Sequence, residues 1–486
     1  MRPTPIPIIA LLLLATAGCT MVPAYHRPEP GLAPAWPKVP GYAPEPDRAS
    51  HGPAADIGWR DFFRDARLQE LIGLALTNNP NLQAAAFNVE QTRDLYRVQR
   101  NNLIPSVMAG ASEESQRIPN IFGGGQAISY NQYTVDLGVT SYELDLFGQV
   151  RSLNQQALET YFASREARRS AQIALVAQVA EAYFTVQQAT RQLNVARGGL
   201  NAAHQALFLT RRSFESGVLT QVDVNSAVNQ EQTARNQVAA YTQQLALAQD
   251  NLVLLVGQPL PGNIPAQSSF DPQSCLADIP SGLPSDLLVR RPDVLEAEHQ
   301  LKAANANIGA ARAAFFPSIT LTGSGGTSST ALGSLFAPGS QTWTFAPQVN
   351  WPIFSADTIW NQLKASRAVE QMDVANYKSA VQSAFREVAD ALAVRATVRT
   401  QLEANQAQLR ASEQTYQLTS AGLHSGINSA LDVLAARQTL DAARQNLIQS
   451  QYARLTSLIN LYQVLGGGWR EQTPQSPAVT PQQPPR

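Results

Sequence analysis

The chain has 486 residues, a net charge of −1, and only 15% charged and 7% aromatic residues. That length ordinarily suggests two to four domains, but Ala and Gln fill most of the long stretches between prolines, which is helix-forming material of little bulk. No basic cluster stands out, so nucleic acid is excluded as a partner.

In chain order, residues 1–18 open with Arg2, continue through a short apolar core from Ile8 to Leu14 and end on small residues before Cys19. This is the pattern of an export signal, and the apolar run is too short to cross a bilayer. Ala17-Gly18-Cys19 resembles a bacterial lipobox. That resemblance implies an N-acyl diglyceride lipid on Cys19, which becomes the mature N-terminus, and Thr20 after it resembles lipoproteins sorted to the outer membrane. Residues 19–58 form a Pro-rich linker, extended or disordered. A first structural repeat follows over 59–257, a Pro/Ser-rich linker over 258–283, a second repeat over 284–466 and a disordered tail over 467–486. Cys275, in the second linker, reads as a loop residue without a role, because one spare thiol cannot build a disulfide framework.

The repeat shows in matched spacings. Pro80 to Pro105 and Pro292 to Pro317 are both 25 residues apart, and Gly217 to Gly257 and Gly426 to Gly466 are both 40 apart. Each half reads as helix, strand, loop, strand, very long helix, tip, helix. The hairpins span 104–147 and 318–354, with strands Ile104 to Gln116, Gln132 to Phe147, Ser318 to Gly326 and Thr342 to Phe354. Long helices follow over 149–257 and 357–466, broken at the tips. Their first members, Gln149 to Phe214 and Asp357 to Leu423, hold no proline, and ~65 residues make a rod of roughly 100 Å. Asp223 and Asp432 are the expected N-caps of the returning helices, and Gly217 and Gly426 the left-handed residues that end the outgoing ones.

The strands alternate. Trp343, Phe345, Val349, Trp351 and Ile353 share one face, and Thr342, Thr344, Gln348 and Asn350 the other. About ten residues with one oily and one polar face match a transmembrane β-strand. A soluble sandwich of four strands on enormous helices would leave its edges open. One chain cannot close a useful barrel, so the expectation is an obligate homo-oligomer that pools its strands, eight from two copies or twelve from three. Pro105 and Pro317 then end the helical hydrogen bonding where the chain enters the membrane.

The motifs SYELDLFGQVRS (141–152), LPSDLLVRRPDVLEAEHQL (283–301), WRDFFRDARLQELIGLALTNNPNL (59–82) and LYQVLGGGW (461–469) resemble the TolC-like outer-membrane factors, specifically their NodT/OprM-type efflux lipoprotein branch. The resemblance implies a mainly α chain with a small β membrane part. Three copies would form a twelve-stranded transmembrane β-barrel continued by a twelve-helix periplasmic α-barrel. It also implies an outer-membrane channel of a tripartite efflux pump, with a periplasmic adaptor (membrane fusion protein) and an inner-membrane transporter of the resistance-nodulation-division type as partners. Leu431 matches the family's apolar constriction, where a ring of apolar side chains gates by excluding water. The family usually has Asp where Ala435 stands and Arg at Gln438; here Arg437 is nearby but displaced by one residue, about 100° around the helix. The usual ionic latch is thereby in question. Leu431 and Arg437 are the gate candidates, and Ser216, Gly217, Ser425 and Gly426, at the tips, the adaptor-docking candidates.

Catalytic chemistry finds no footing. The five histidines (26, 51, 204, 299, 424) lack metal-ligand spacing, and the glycine runs at 123–125 and 466–468 lack a phosphate-loop context. No nucleophile elbow or Cys/His pairing is visible, so no enzyme, metal or cofactor is expected. The alternatives to small-molecule efflux are a lipid-anchored coiled-coil scaffold without a pore, or an exit duct for metal ions or secreted protein.

Overall fold

The computed structural model describes residues 20–29, 31, 54–119, 127–261, 276 and 290–474. Cys19 with the export signal, Cys275 and most of the 258–283 linker lie outside the described residues. The elements are α1 (Ala66–Asn78), α2 (Pro80–Asn101), β1 (Val107–Ile118), β2 (Ile128–Leu144), α3 (Gln149–Glu215), α4 (Gln221–Val256), α5 (Pro292–Ala313), β3 (Ser318–Ser329), β4 (Gln341–Asn350), α6 (Ala356–His424) and α7 (Ala430–Val464). They fall into two compact units, one drawing on residues 1–29, 87–165 and 296–379, the other on 30–86, 166–295 and 380–486.

The first unit carries the sheet, antiparallel in the order β1-β2-β3-β4. Register places Val107, Val139, Gly323 and Phe345 in one row, and Ala109, Leu137, Gly325 and Trp343 in the next, all on the apolar face. The opposite face is lined with hydroxyls: Ser324 Oγ lies 2.8 Å from Thr344 Oγ1, and Ser328 Oγ 3.3 Å from Thr134 Oγ1. Trp343 is 79% exposed, with Phe345, Val349, Trp351 and Ile353 exposed beside it. The outer edges of β1 and β4 have no strand partner within the described residues. Strand ends differ by up to four residues from the alternation reading. β2 starts earlier, at Ile128, because hairpin pairing extends through polar residues beyond the oily band.

At the sheet's exit, Asp145 caps α3. Its carboxylate accepts from the backbone N–H groups of Val150 and Arg151 at 3.2 and 2.9 Å and pairs with the Arg151 side chain at 3.0 Å, as a helix N-terminus favours. This accounts for Asp145, the second acid in SYELDLFGQVRS, as a helix cap. Phe147 stacks on Phe316, ring centroids 4.6 Å apart, where the two hairpins leave the sheet.

Residues 20–29 run extended against α5 in the opposite direction. The carbonyl of Met21 accepts from Arg312, that of Pro23 from Asn305 at 3.0 Å, and Arg27 clasps Glu298 at 2.6 Å. Burial pulls the Glu298 carboxyl upward, but Lys302 and Arg27 outweigh it and hold its pKa below the ordinary carboxylate range. Residues 20–29 of the expected linker are therefore docked chain. Its last residues, 54–58, are folded too: Ala54, Ala55 and Ile57 are buried.

The second unit holds the main core. In α1, Leu68, Leu71, Ile72 and Ala75 follow helical spacing and are fully buried. Asp65 caps that helix through Arg67 N–H and Leu68 N–H. Asn79 caps α2 at 3.0 and 3.1 Å while Pro80 takes its first helical position, which is the physical content of the NNPNL motif. In RRPDV, buried Arg291 binds the Val464 carbonyl at 3.1 Å and Glu387 at 2.8 Å.

The expected tail at 467–486 needs a correction over its first part. Trp59 and Arg60 donate their N–H groups to the carbonyls of Arg470 and Glu471 at 2.9 and 3.1 Å, and Arg169 lies over the Trp469 ring at 4.3 Å. The two terminal motifs, WRDFF and LYQVLGGGW, therefore meet. Phe62 stacks on Tyr462 with centroids 4.0 Å apart, and the Tyr462 hydroxyl donates to the Ile57 carbonyl at 2.6 Å. Residues 475–486 lie outside the described residues. Tyr462→Phe, which leaves that buried carbonyl unsatisfied, is expected to cost roughly 1–3 kcal/mol; urea titration followed by helical circular dichroism checks it, and an unchanged midpoint refutes it.

Candidate gate and helix tips

Helices α3 and α6 end alike. Gly217 and Gly426 have φ of 73° and 76°, a left-handed conformation glycine adopts without strain. Val218 N–H then bonds the Ser213 carbonyl at 2.9 Å, and Ile427 N–H the Gly422 carbonyl at 2.8 Å, which satisfies carbonyls the helix end would orphan. Ser216 and Ser425 hydroxyls donate back to the Arg212 and Ala421 carbonyls at 2.9 and 3.2 Å. Val218 and Ile427 follow, 75% and 80% exposed.

The returning helices start differently from the sequence expectation. Their N-caps are Thr220 and Ser429, and Asp223 and Asp432 sit three residues later as the second halves of capping boxes. Each aspartate accepts the cap's backbone N–H at 2.8 Å. Hydrogen bonds from the Thr220 and Ser429 hydroxyls and backbones hold both carboxyls below the usual aspartate range. The second tip has one further tie, Asn428 Nδ2 to the Thr419 carbonyl at 3.1 Å.

Leu431 is half-buried in the first turn of α7. Arg437, six residues on, falls on a different face of the helix, so the two gate candidates are not brought together. Arg437 is bonded to Asp441 at 2.9 Å and lies over the Tyr416 ring at 5.6 Å. Asp441 also reaches Arg444 at 3.5 Å, and Arg444 reaches Glu413 on α6 at 3.6 Å. Opposite, Gly198 and Gly199 of α3 form a notch: a Cβ there would stand 3.1 Å from Arg437 Nη2 and from Asp441 Oδ2 respectively. Sequence reasoning passed over this notch, although two glycines in mid-helix were a visible signal against propensity.

Higher on α3, His204 Nδ1 lies 3.2 Å from Glu231 of α4, and Arg235 3.5 Å from the same carboxylate. These side chains, with Arg197, Leu200 and Asn201, line a cavity of about 320 Å³. Among the described residues no His/Cys/Asp/Glu cluster has the arrangement of a metal site, and no helix is long and apolar enough to cross a membrane.

Against this geometry the comparisons are specific. The family model described as outer membrane efflux protein matches residues 71–258 and 283–467, once over each repeat. The chain is 44% identical over 469 residues to the toluene efflux pump outer membrane protein TtgC of Pseudomonas putida, covering 96% of both chains. It is 38% identical over 474 residues to the outer membrane protein OprJ of Pseudomonas aeruginosa, covering 97% of this chain and 98% of that one. Among solved structures, the open state of the MtrE outer membrane channel of Neisseria gonorrhoeae superposes with a TM-score of 0.83 at 37% identity, covering 94% of this chain and all of that one. Two matched repeats and identity sustained along nearly the whole sequence place the chain in one group: it belongs to the outer membrane efflux protein family.

Proposed function

We propose that three copies of the chain assemble into the exit duct of a tripartite efflux pump, passing small molecules such as drugs and toxic compounds passively from periplasm to exterior. The observation that carries this reading is the four-stranded sheet with one oily face, one hydroxyl-lined face and two open edges. Hydrocarbon does not solvate unpaired backbone groups, so such a sheet is stable there only in a closed barrel. Three copies supply twelve strands, oily side to lipid and hydroxyls to a wet lumen. An N-acyl diglyceride on Cys19 anchors the chain, and the docked arm that starts at Thr20 supports this by fixing the residues next to the lipid site against α5.

The partners are a periplasmic adaptor and an inner-membrane transporter of the resistance-nodulation-division type. The relatives named as pump outer-membrane proteins support a multi-part machine. Ser216, Gly217, Ser425 and Gly426 form the turns that present Val218 and Ile427, and these turns are the end-on docking surface. Leu431 supplies the apolar constriction. Arg437 serves the gate indirectly, bracing α7 against the Gly198-Gly199 notch rather than latching one copy to the next. The chain is a passive conduit and not an enzyme.

The capping boxes set the pH range over which the tips keep their shape. Because the Asp223 and Asp432 carboxyls titrate lower in the folded chain, their contribution is present above the unfolded value of about 3.9 and is lost as pH falls through the folded value. A spin label at position 427 is expected to hold constant mobility from pH 7 to about pH 5 and to loosen below about pH 4. In Asp432→Asn it should be loose throughout, and equal mobility in both proteins at pH 7 refutes the assignment.

Purified trimers in planar bilayers should show low conductance, and Leu431→Ser, which hydrates the apolar ring, should raise it severalfold. Silence from both proteins would favour a poreless scaffold.

A further inference from the structure

Glu143, the first acid of SYELDLFGQVRS, owes its place to a break in β2. Before the break, Val135, Leu137 and Val139 pair with Thr327, Gly325 and Gly323 on the oily face. Kept in step, this alternation would turn Glu143 to that same face, because every second residue of a strand points the same way. The step is not kept. Thr140 and Ser141 together stand opposite the single residue Thr322, after which Tyr142 pairs with Leu321, Glu143 with Thr320 and Leu144 with Ile319. Ser141 has φ of 56°, the one non-glycine residue in the left-handed region among the described residues, and its N–H donates to Thr322 Oγ1 at 3.3 Å. Such a bulge slips the phase by one residue and so exchanges the two faces. Tyr142 and Leu144 therefore fall on the oily side, where the Tyr142 hydroxyl donates to the Leu103 carbonyl at 3.2 Å. Glu143 joins Thr320 and Gln348 on the hydroxyl side.

That side carries charge of one sign. Glu114, Asp136 and Glu143 lie on it, in rows with Gln132, Gly326 and Thr320, while Glu113 and the strands' only base, Arg117, lie on the other face beyond the oily band. At the rise of a strand these rows are about 13 and 20 Å apart, so the three carboxylates cannot share one ion and act instead as a field along a passage. The Glu143 carboxylate holds no hydrogen bond or ion pair among the described residues, whereas that of Asp145 is spent on its cap. We infer that Glu143, turned inward by the slip at Ser141, is the specificity-determining residue of the duct, an inference that rests on the duct reading above. Three copies set a ring of carboxylates at the periplasmic end of the barrel, and this ring admits cations, protonated amines among them, in preference to anions. Rings of acidic side chains select cations in this way. Asp136 and Glu114 continue the same sign outward. Because the field of an exposed charge reaches about 10 Å at 0.1 M salt and less above it, the preference falls as salt rises.

The test reads the K⁺/Cl⁻ permeability ratio from the reversal potential of purified trimers in planar bilayers under a KCl gradient. All proteins carry Leu431→Ser, which opens the mouth, and Cys275→Ser, which removes a competing thiol. The background channel is expected to pass K⁺ in preference to Cl⁻, and Glu143→Cys to lower the ratio about threefold. The negatively charged reagent 2-sulfonatoethyl methanethiosulfonate should then restore it, by putting a sulfonate where the carboxylate stood, and the positively charged 2-aminoethyl analogue should invert it in favour of Cl⁻. Glu143→Gln, which alters charge alone, should match the unreacted cysteine, with trimers intact by analytical ultracentrifugation in detergent. An unchanged ratio in both variants, a cysteine that neither reagent affects, or a background channel without preference for K⁺ overturns the assignment while leaving the duct reading standing. Loss of trimers in Glu143→Gln also overturns it, because the carboxylate is then structural. Silence from the background channel instead removes the duct reading, and the role of Glu143 with it.

Discussion

A strand edge carries backbone N–H and C=O groups that lipid cannot solvate, and each left unpaired in hydrocarbon costs several kcal/mol. The sheet of this chain has two such edges, on β1 and β4, and a face of Trp343, Phe345 and Leu137 that water does not favour. Satisfying the edges and covering the face are one problem with one solution, closure of pooled strands inside a membrane. The rest of the chain can be understood as what delivers each hairpin there: a helix before it and a very long helix after it, the same arrangement twice.

The repeat fixes more than topology. Because both tips end on a left-handed glycine and restart on a capping box, the two helix pairs present similar apolar knobs, Val218 and Ile427. Because the repeats then diverge in side chains, each pair is braced in its own way. Near α7 the ions are spent inside the chain, Arg437 on Asp441 and Arg444 on Glu413, and the Gly198-Gly199 notch gives them room. Near α4, His204 and Arg235 share the single carboxylate of Glu231.

Much of this was legible in the sequence. Period-two alternation located all four strands, proline-free runs located both long helices to within about a residue at each end, and equal spacings exposed the repeat. What escaped follows from the short range of those signals. Asp223 and Asp432 looked like caps because a helix start attracts an acid; whether that acid is the cap or its partner three residues on depends on whether Thr220 and Ser429 adopt extended backbone. The expected disorder at 467–474 and 54–58 failed because Gly- and Pro-rich composition signals missing local structure. It is silent about a distant partner such as Trp59 waiting for Arg470. Arg437 drew attention as an arginine one residue away from the position, Gln438, where the resemblance placed one, but Asp441 one turn later was already a readable partner.

Pairing across the seam between copies is the most direct test of the central claim. In a Cys275→Ser background, single cysteines on β1 at positions 110, 112 and 114 are combined in turn with single cysteines on β4 at positions 342, 344 and 346, and intact cells are oxidised. The account predicts, for at least one register, a ladder of covalently joined chains that stops at three. If every combination yields only single chains while the protein sits in the outer membrane, the strands are not shared and the account is contradicted.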